Sequence, residues 1–232
     1  VKKVGLSNGL IGFLLGLLIL LGGCTTTGDS RTDLEDSTGD LGKSTPPRAG
    51  EADIYVNLAA AYMRNGQMAV ALQQAKKAIR IDPDNSNAQN VIALIYTRLG
   101  ESGLAEMHYR TGLNAAPRDP YIRNSYGTFL CQQGRYQEAE QEFVNALKNP
   151  LYQAPELAYT NAALCTADEG NRERSKAYLR KALQANPNFA PALLQMAKLS
   201  LMDGDFSDAR IYLQRFATVA PHNAESLWTG IQ

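Results

Sequence analysis

Cysteine is the residue type with the most chemistry to offer in this chain. There are three: Cys24, Cys131 and Cys165. Cys24 stands directly behind an apolar run. Cys131 and Cys165 lie about 34 residues apart, an interval typical of repeat proteins. Two such thiols can either oxidise to a disulfide or pack as small apolar side chains. The two histidines, His108 and His222, have no cysteine or carboxylate at metal-ligand spacing and read as packed or solvated imidazoles. No glycine loop suited to phosphate and no nucleophile–base motif is present. No catalytic residue, metal or cofactor is therefore expected, and no small-molecule substrate. Asp82-Pro83-Asp84 reads as a turn with helix-capping acids, not as a calcium loop. What remains is recognition chemistry. Asn90 and Asn124 are separated by the same interval as the cysteines, and their amides can serve both donors and acceptors of an extended peptide backbone. Arg64 and Arg98 share that interval too and suit peptide carboxylates.

That interval is the period of the whole chain. Gly66, Gly100, Gly134, Gly170 and Gly204 recur at a period of about 34 residues, a spacing that repeat architectures use. Only the step from Gly134 to Gly170 is longer, by two. Five residues after each comes a small one: Ala71, Ala105, Ala139, Ser175 and Ala209. Pro83, Pro117, Pro187 and Pro221 each trail a glycine by half a period. The third repeat departs from this, with Pro150 one place early ahead of the slip before Gly170. Within residues 52–85, Tyr55, Leu58, Ala59 and Tyr62 have helical spacing, as do Val70, Ala71, Ala75, Ala78 and Ile79. Gly66 ends the first segment, and Pro83 forbids continuation of the second. A fixed period of about 34 residues marks a solenoid of helix pairs. No strand pattern is visible, so one all-α domain over residues 51–232 is expected.

This spacing resembles the tetratricopeptide repeat (TPR) over residues 52–221. The resemblance implies a right-handed superhelical solenoid of about five repeats. His222–Gln232 reads as the first helix of a sixth. Ser175 in place of the usual alanine, and Thr166 and Ser200 in place of a tyrosine, depart from the pattern. In TPR arrays the first helices line a concave face. Carried over by repeat position, that face takes Val56, Ala60, Met63 and Arg64 from repeat one. Repeat two gives Asn87, Asn90, Leu94, Thr97 and Arg98, and repeat three gives Tyr121, Asn124, Thr128 and Gln132. On this reading Asn90 and Asn124 hold a peptide backbone, Arg64 and Arg98 its carboxylates, and Val56, Met63 and Leu94 form an apolar lane. The alternative is that these positions are simply solvated. Trp228 is either an exposed contact or packed on repeat five.

Charge argues against polyanion partners. Lys and Arg number 23, as do Asp and Glu, so no general attraction to nucleic acid follows. The N-terminus has Lys2 and Lys3, then the apolar run Leu10–Leu21, then Leu21-Gly22-Gly23-Cys24. The run is too short to span a bilayer, which takes about 20 apolar residues. It resembles a bacterial lipoprotein signal, which implies removal of residues 1–23 and acylation of Cys24. Thr25 after the cysteine, by the same resemblance, implies the outer membrane, with the chain on its periplasmic face. Residues 24–50 are rich in Thr, Ser, Asp and Gly and read as a flexible tether spanning roughly 28 Å. In such a compartment disulfides are permitted, and Cys131 and Cys165 fall on first helices of neighbouring repeats. They are either bridged or two buried thiols.

Signal, tether, repeats, Asn90-x-x-Ala93-x-x-Tyr96 and the Cys131/Cys165 pair together resemble the type IV pilus pilotin lipoproteins, the PilF/PilW group. The resemblance implies a binding protein that brings the pilus secretin to the outer membrane and promotes its multimerisation. The alternative kept open is a periplasmic TPR adaptor for peptidoglycan synthases or hydrolases.

Overall fold

Residues 50–221 and 224–231 are described by the structure, a computed structural model. The expected signal at 1–23 and all but the end of the expected tether at 24–50 lie outside the described residues, as do His222 and the side chain of Trp228. The described part belongs to one compact unit, Pro46–Gln232. Its helices come in pairs. These are α1 (Glu51–Arg64) with α2 (Met68–Ile81), α3 (Ser86–Arg98) with α4 (Ser102–Ala115), and α5 (Pro120–Gln132) with α6 (Tyr136–Leu147). Then come α7 (Pro155–Asp168) with α8 (Arg172–Ala185) and α9 (Ala190–Met202) with α10 (Phe206–Val219), and finally α11 (Ala224–Ile231). No strand occurs among the described residues.

The periodic glycines make the turns inside the pairs. Gly134 shows how: its φ is 74°, a conformation that costs a β-carbon-bearing residue energy and glycine none. The Gly134 amide donates to the Cys131 carbonyl at 2.9 Å and the next amide, of Arg135, donates to Leu130 at 2.9 Å. These two bonds satisfy carbonyls that the end of α5 leaves open. Between pairs, capping side chains restart the chain. Asn85 accepts from the Ala88 amide at 2.8 Å, and Asp119 accepts from the Tyr121 amide at 2.8 Å. The capping role that sequence gives to the acids of Asp82-Pro83-Asp84 falls to Asn85 instead. Asp82 accepts from the Asp84 amide and from the Asn85 side chain, bracing the turn that presents Asn85 to α3.

Small residues set the closeness of the pairs. Ala59, Ala71, Ala75 and Ala78 are fully buried in the first pair, as are Ala93 and Ala105 in the second. A β-carbon on Gly127 would lie 2.8 Å from the Phe143 ring, so α5 and α6 touch as only glycine permits. Ser175, the departure from the alanine pattern, is buried and donates its hydroxyl to the Ala163 carbonyl at 2.7 Å. A serine is thus accommodated because its polar atom finds a partner.

The core does not respect repeat boundaries. One cluster joins Val56, Ala59 and Met63 of α1 to Ala75 and Ala78 of α2 and to Ile92 and Ile95 of α3. A second runs from Ala93 through Tyr109, Tyr126, Leu130 and Phe143 to Ala162 and Cys165. First helices pack on first helices, α1 on α3, α3 on α5, α5 on α7 and α7 on α9, and α11 continues the series against α9 and α10. Each helix pair thus buries its apolar face on its neighbours, the physical basis of a TPR solenoid. The slip seen in sequence appears between α6 and α7, where the loop has seven residues and the α2–α3, α4–α5 and α8–α9 loops have four. Tyr152 plugs this longer loop into a small cluster with Ala146 and Ala158.

Candidate functional site: the wall of first helices

Helices α1, α3, α5, α7 and α9 stand side by side and form one wall of the array. The regular repeat brings equivalent positions of these helices into rows. The row at the fifth repeat position contains Val56, Asn90, Asn124, Thr160 and Leu194. Its members differ in how they are used.

Val56 and Met63 are each only 8% exposed and belong to the first core cluster, with Leu94 half-buried against it. Packing of α3 on α1 covers these side chains. The apolar lane expected from Val56, Met63 and Leu94 is therefore mostly core, and only Leu94 offers appreciable surface. Arg64 is exposed. Arg98, also exposed, donates Nη1 to the Met63 carbonyl at 3.2 Å and ties α3 to the end of α1. Tyr121 is 45% exposed. The Thr128 hydroxyl donates to the Asn124 carbonyl at 3.0 Å, one turn back in its own helix, so it is not free to face a ligand as a donor.

The two asparagines that sequence makes equivalent are not so in space. Asn124 Oδ1 accepts from Asn161 Nδ2 on α7 at 3.1 Å, a polar tie between first helices. Asn90 is half-buried, and its Oδ1 is shielded from solvent with no hydrogen-bonding partner among the described residues. Two repeats along the same row, the hydroxyl of buried Thr160 is in the same condition. Shielded acceptors without partners are uncommon and costly in folded proteins. Both atoms are closed to solvent, so an incoming chain meets them only where the surrounding side chains give way. Asn161 and Thr160 had no distinguishing signal in sequence, since the repeat slip obscures the register of α7.

Cys131 of α5 and Cys165 of α7 form a disulfide with Cα atoms 5.7 Å apart. Cys165 is buried in the second cluster. The bridge lies across the same α5–α7 seam as the Asn124–Asn161 bond.

Charged side chains outside the wall fasten one pair to the next. Glu106 on α4 accepts from Arg110 at 2.7 Å, from Arg135 at 2.9 Å and from the Tyr126 hydroxyl at 2.9 Å. Partial burial by itself pushes the Glu106 carboxyl up. The hydrogen bonds from Arg135, Arg110 and Tyr126 outweigh it and hold the carboxyl at about 2, well below 4.5. Burial, with the Glu106 bond, raises Tyr126 to about 12. Glu140, one repeat after Glu106, repeats the device with Tyr178 at 2.6 Å and Arg174 at 3.1 Å. His108 stacks on Tyr96 and its Nδ1 lies 2.7 Å from Gln89 Oε1. Burial and then Lys76 lower its pKa, favouring the neutral ring. It is a packed imidazole, consistent with its reading in sequence.

Among the described residues no three His, Cys, Asp or Glu side chains are grouped to hold a metal ion, and no helix is long and apolar enough to cross a membrane. What the wall can offer is shape, hydrogen bonds and a few charges to a polypeptide.

Comparison with known proteins places this architecture. Models of the tetratricopeptide repeat match residues 52–85, 90–156 and 167–228. The type IV pilus assembly protein PilF of Pseudomonas aeruginosa is 31% identical over 216 residues, covering 93% of this chain and 82% of its own. Two solved structures are similar over the repeats. That of PilW, described as a widely conserved type IV pilus biogenesis factor, has a TM-score of 0.70 at 32% identity, covering 77% of this chain and 82% of the other. That of Pseudomonas aeruginosa PilF has a TM-score of 0.71 at 32% identity, covering 78% and 81%. With the repeat fold, the first-helix wall and this extent of identity in hand, the chain belongs to the PilF/PilW family of tetratricopeptide repeat proteins of type IV pilus biogenesis.

Proposed function

We propose that this chain is an outer-membrane lipoprotein that holds a segment of the type IV pilus secretin against its first-helix wall, so promoting the secretin's localisation and ring assembly. The observation that carries the reading is the identity with PilF over nearly the whole chain. In this reading the work is done by binding alone. Acyl chains on Cys24 supply location: two chains already give stable anchoring. Residues 25–50 give the repeats reach. The solenoid supplies a surface for one extended segment, whose backbone groups meet exposed side-chain amides of the wall such as Asn87 and Gln132. Arg64 at one end is placed for an acidic side chain.

Membrane fractionation of cells producing Cys24→Ala tests the reading. The unacylated protein is expected to leave the outer membrane, and secretin multimers are expected to fall there while monomers accumulate elsewhere. Secretin multimers undiminished in the outer membrane would overturn the proposal. Normal pili with altered septation on deletion would point to the peptidoglycan adaptor instead.

A further inference from the structure

The slip between the third and fourth pairs builds more than a longer loop. A cavity of about 600 Å³ opens there, lined among others by Arg118, Arg123, Lys148, Asn145, Asn149 and Leu151. An apolar hollow of about 590 Å³ adjoins it, lined by Ala116, Pro117, Pro120, Tyr121 and Leu151 with Arg118, Asp119 and Asn149. Both lie on the edge where one pair passes to the next, at the start of α5.

The walls are fixed by hydrogen bonds and by a buried ring. Asn149 Nδ2 donates to the Arg118 carbonyl at 2.9 Å and joins the two loops. Asn149 Oδ1 in turn accepts from the Leu151 amide at 2.9 Å. Tyr152 anchors the loop from below, 6% exposed and edge-on to Tyr121 with ring centroids 5.1 Å apart. Leu151 is thereby held out into solvent at 82% exposure. An exposed leucine on an anchored loop next to an exposed tyrosine is an apolar lip that the fold itself does not use.

The charge is as unbalanced as the lip is apolar. No carboxylate lines the larger cavity. Arg123 is spent on Glu142 and on the Pro117 carbonyl. Arg118 has no side-chain partner among the described residues, and Lys148 reaches only Asn145 Oδ1, at 2.9 Å. Asp119, in the adjoining hollow, is turned to the N-terminus of α5. Two cations thus face a notch whose rim is apolar.

We propose that this notch docks an acidic segment of a partner protein, an extended stretch in which Asp or Glu alternates with a large apolar residue. In an extended chain alternate side chains point to opposite sides, so carboxylates can reach Arg118 and Lys148 while an apolar side chain covers Leu151 and Tyr121. The Arg118 guanidinium can bind a carboxylate with two parallel hydrogen bonds. The surface is separate from Asn90 and does not depend on the secretin reading.

The test is a fluorescence-anisotropy titration of the full chain in mild detergent with an acetylated, amidated Asp-Phe-Asp-Phe-Asp peptide. Arg118→Glu with Lys148→Glu is expected to weaken binding at least about tenfold, the scale of a charge-assisted hydrogen bond. Leu151→Ser is expected to weaken it about threefold to tenfold, as the loss of one exposed apolar contact. The melting temperature should hold in each, since these side chains are exposed. A peptide with Asn for each Asp, or with Ser for each Phe, should bind at least about tenfold more weakly. Absence of binding by the parent peptide, equal binding to the charge-reversed protein, or equal binding of the Asn peptide would overturn the proposal. Displacement by inorganic phosphate at buffer concentration would reduce the notch to an anion site and overturn it too. Binding seen only after Asp33→Asn, Glu35→Gln and Asp36→Asn would mean that the chain's own acidic segment is the occupant, against a separate partner.

Discussion

At the scale of the residue, two asparagines of the same type and repeat position have opposite energetic roles. Asn124 completes a hydrogen bond with Asn161, whereas Asn90 has a shielded oxygen with no partner. Truncating a satisfied group strands its partner, while truncating an unsatisfied one removes a cost. Asn90→Ala should therefore leave the melt unchanged or raise it slightly, and should weaken binding of solubilised secretin about tenfold. Asn124→Ala should instead lower stability by about 1 kcal/mol. A thermal melt and a secretin titration on each protein separate the two roles. Asn90→Ala with full affinity would remove the fifth-position row from the binding surface.

At the scale of the element, Glu106 is the fastener between the second and third pairs. It joins α4 to Tyr126 of α5 and to Arg135 at the turn beyond it. Its carboxyl sits at about 2 when folded, against 4.5, so the folded state favours the charged form. The corresponding stability is complete above about 4.5 and is lost as pH falls from there toward about 2. Glu106→Gln should then cost on the order of 2 kcal/mol at neutral pH, the scale of hydrogen bonds to a charged group. The difference from the parent should shrink across that acid window. Urea midpoints at pH 7 and pH 3 measure it, and equal midpoints for parent and variant at pH 7 would show that the network contributes nothing net.

At the scale of the whole molecule, the array is quasi-one-dimensional: each pair is held by its neighbours, and the weakest seam limits the rest. The α5–α7 seam carries the irregular loop and also the Cys131–Cys165 bridge. The bridge spans a sequence separation of 34, which in the chain-entropy model is worth about 3–4 kcal/mol. Cys131→Ser with Cys165→Ser should lower the urea midpoint accordingly and should let the last two pairs exchange amide protons before the first two. Hydrogen exchange read by mass spectrometry checks this, and uniform exchange along the array would show that the seam is not the weak point. Alkylation of the unreduced parent should label neither Cys131 nor Cys165.

The period of glycines, small residues and prolines was enough to specify helix pairs, their turns and their order. Each of those marks acts locally: Gly134 must take a positive φ, Pro83 cannot extend a helix, and Ala59 and Ala71 let neighbours close in. The position of Cys131 and Cys165 on adjacent first helices was legible for the same reason, although the slip sets them two repeat positions out of register. Tertiary structure alone decided how much of each side chain remains available. Repeat position put Val56, Met63 and Leu94 in one lane, but the depth to which α3 covers α1 depends on side-chain volumes from both helices, and it buried the first two. It likewise decided that Asn124 bonds Asn161 while Asn90 Oδ1 has no hydrogen-bonding partner among the described residues, a distinction no single-helix pattern contains. The notch at Arg118, Lys148 and Leu151 was visible in sequence only as an early proline and a two-residue slip. An insertion announces a break in period, but the direction in which its residues fold back depends on long-range contacts, here Tyr152 against Tyr121 and Asn149 against Arg118.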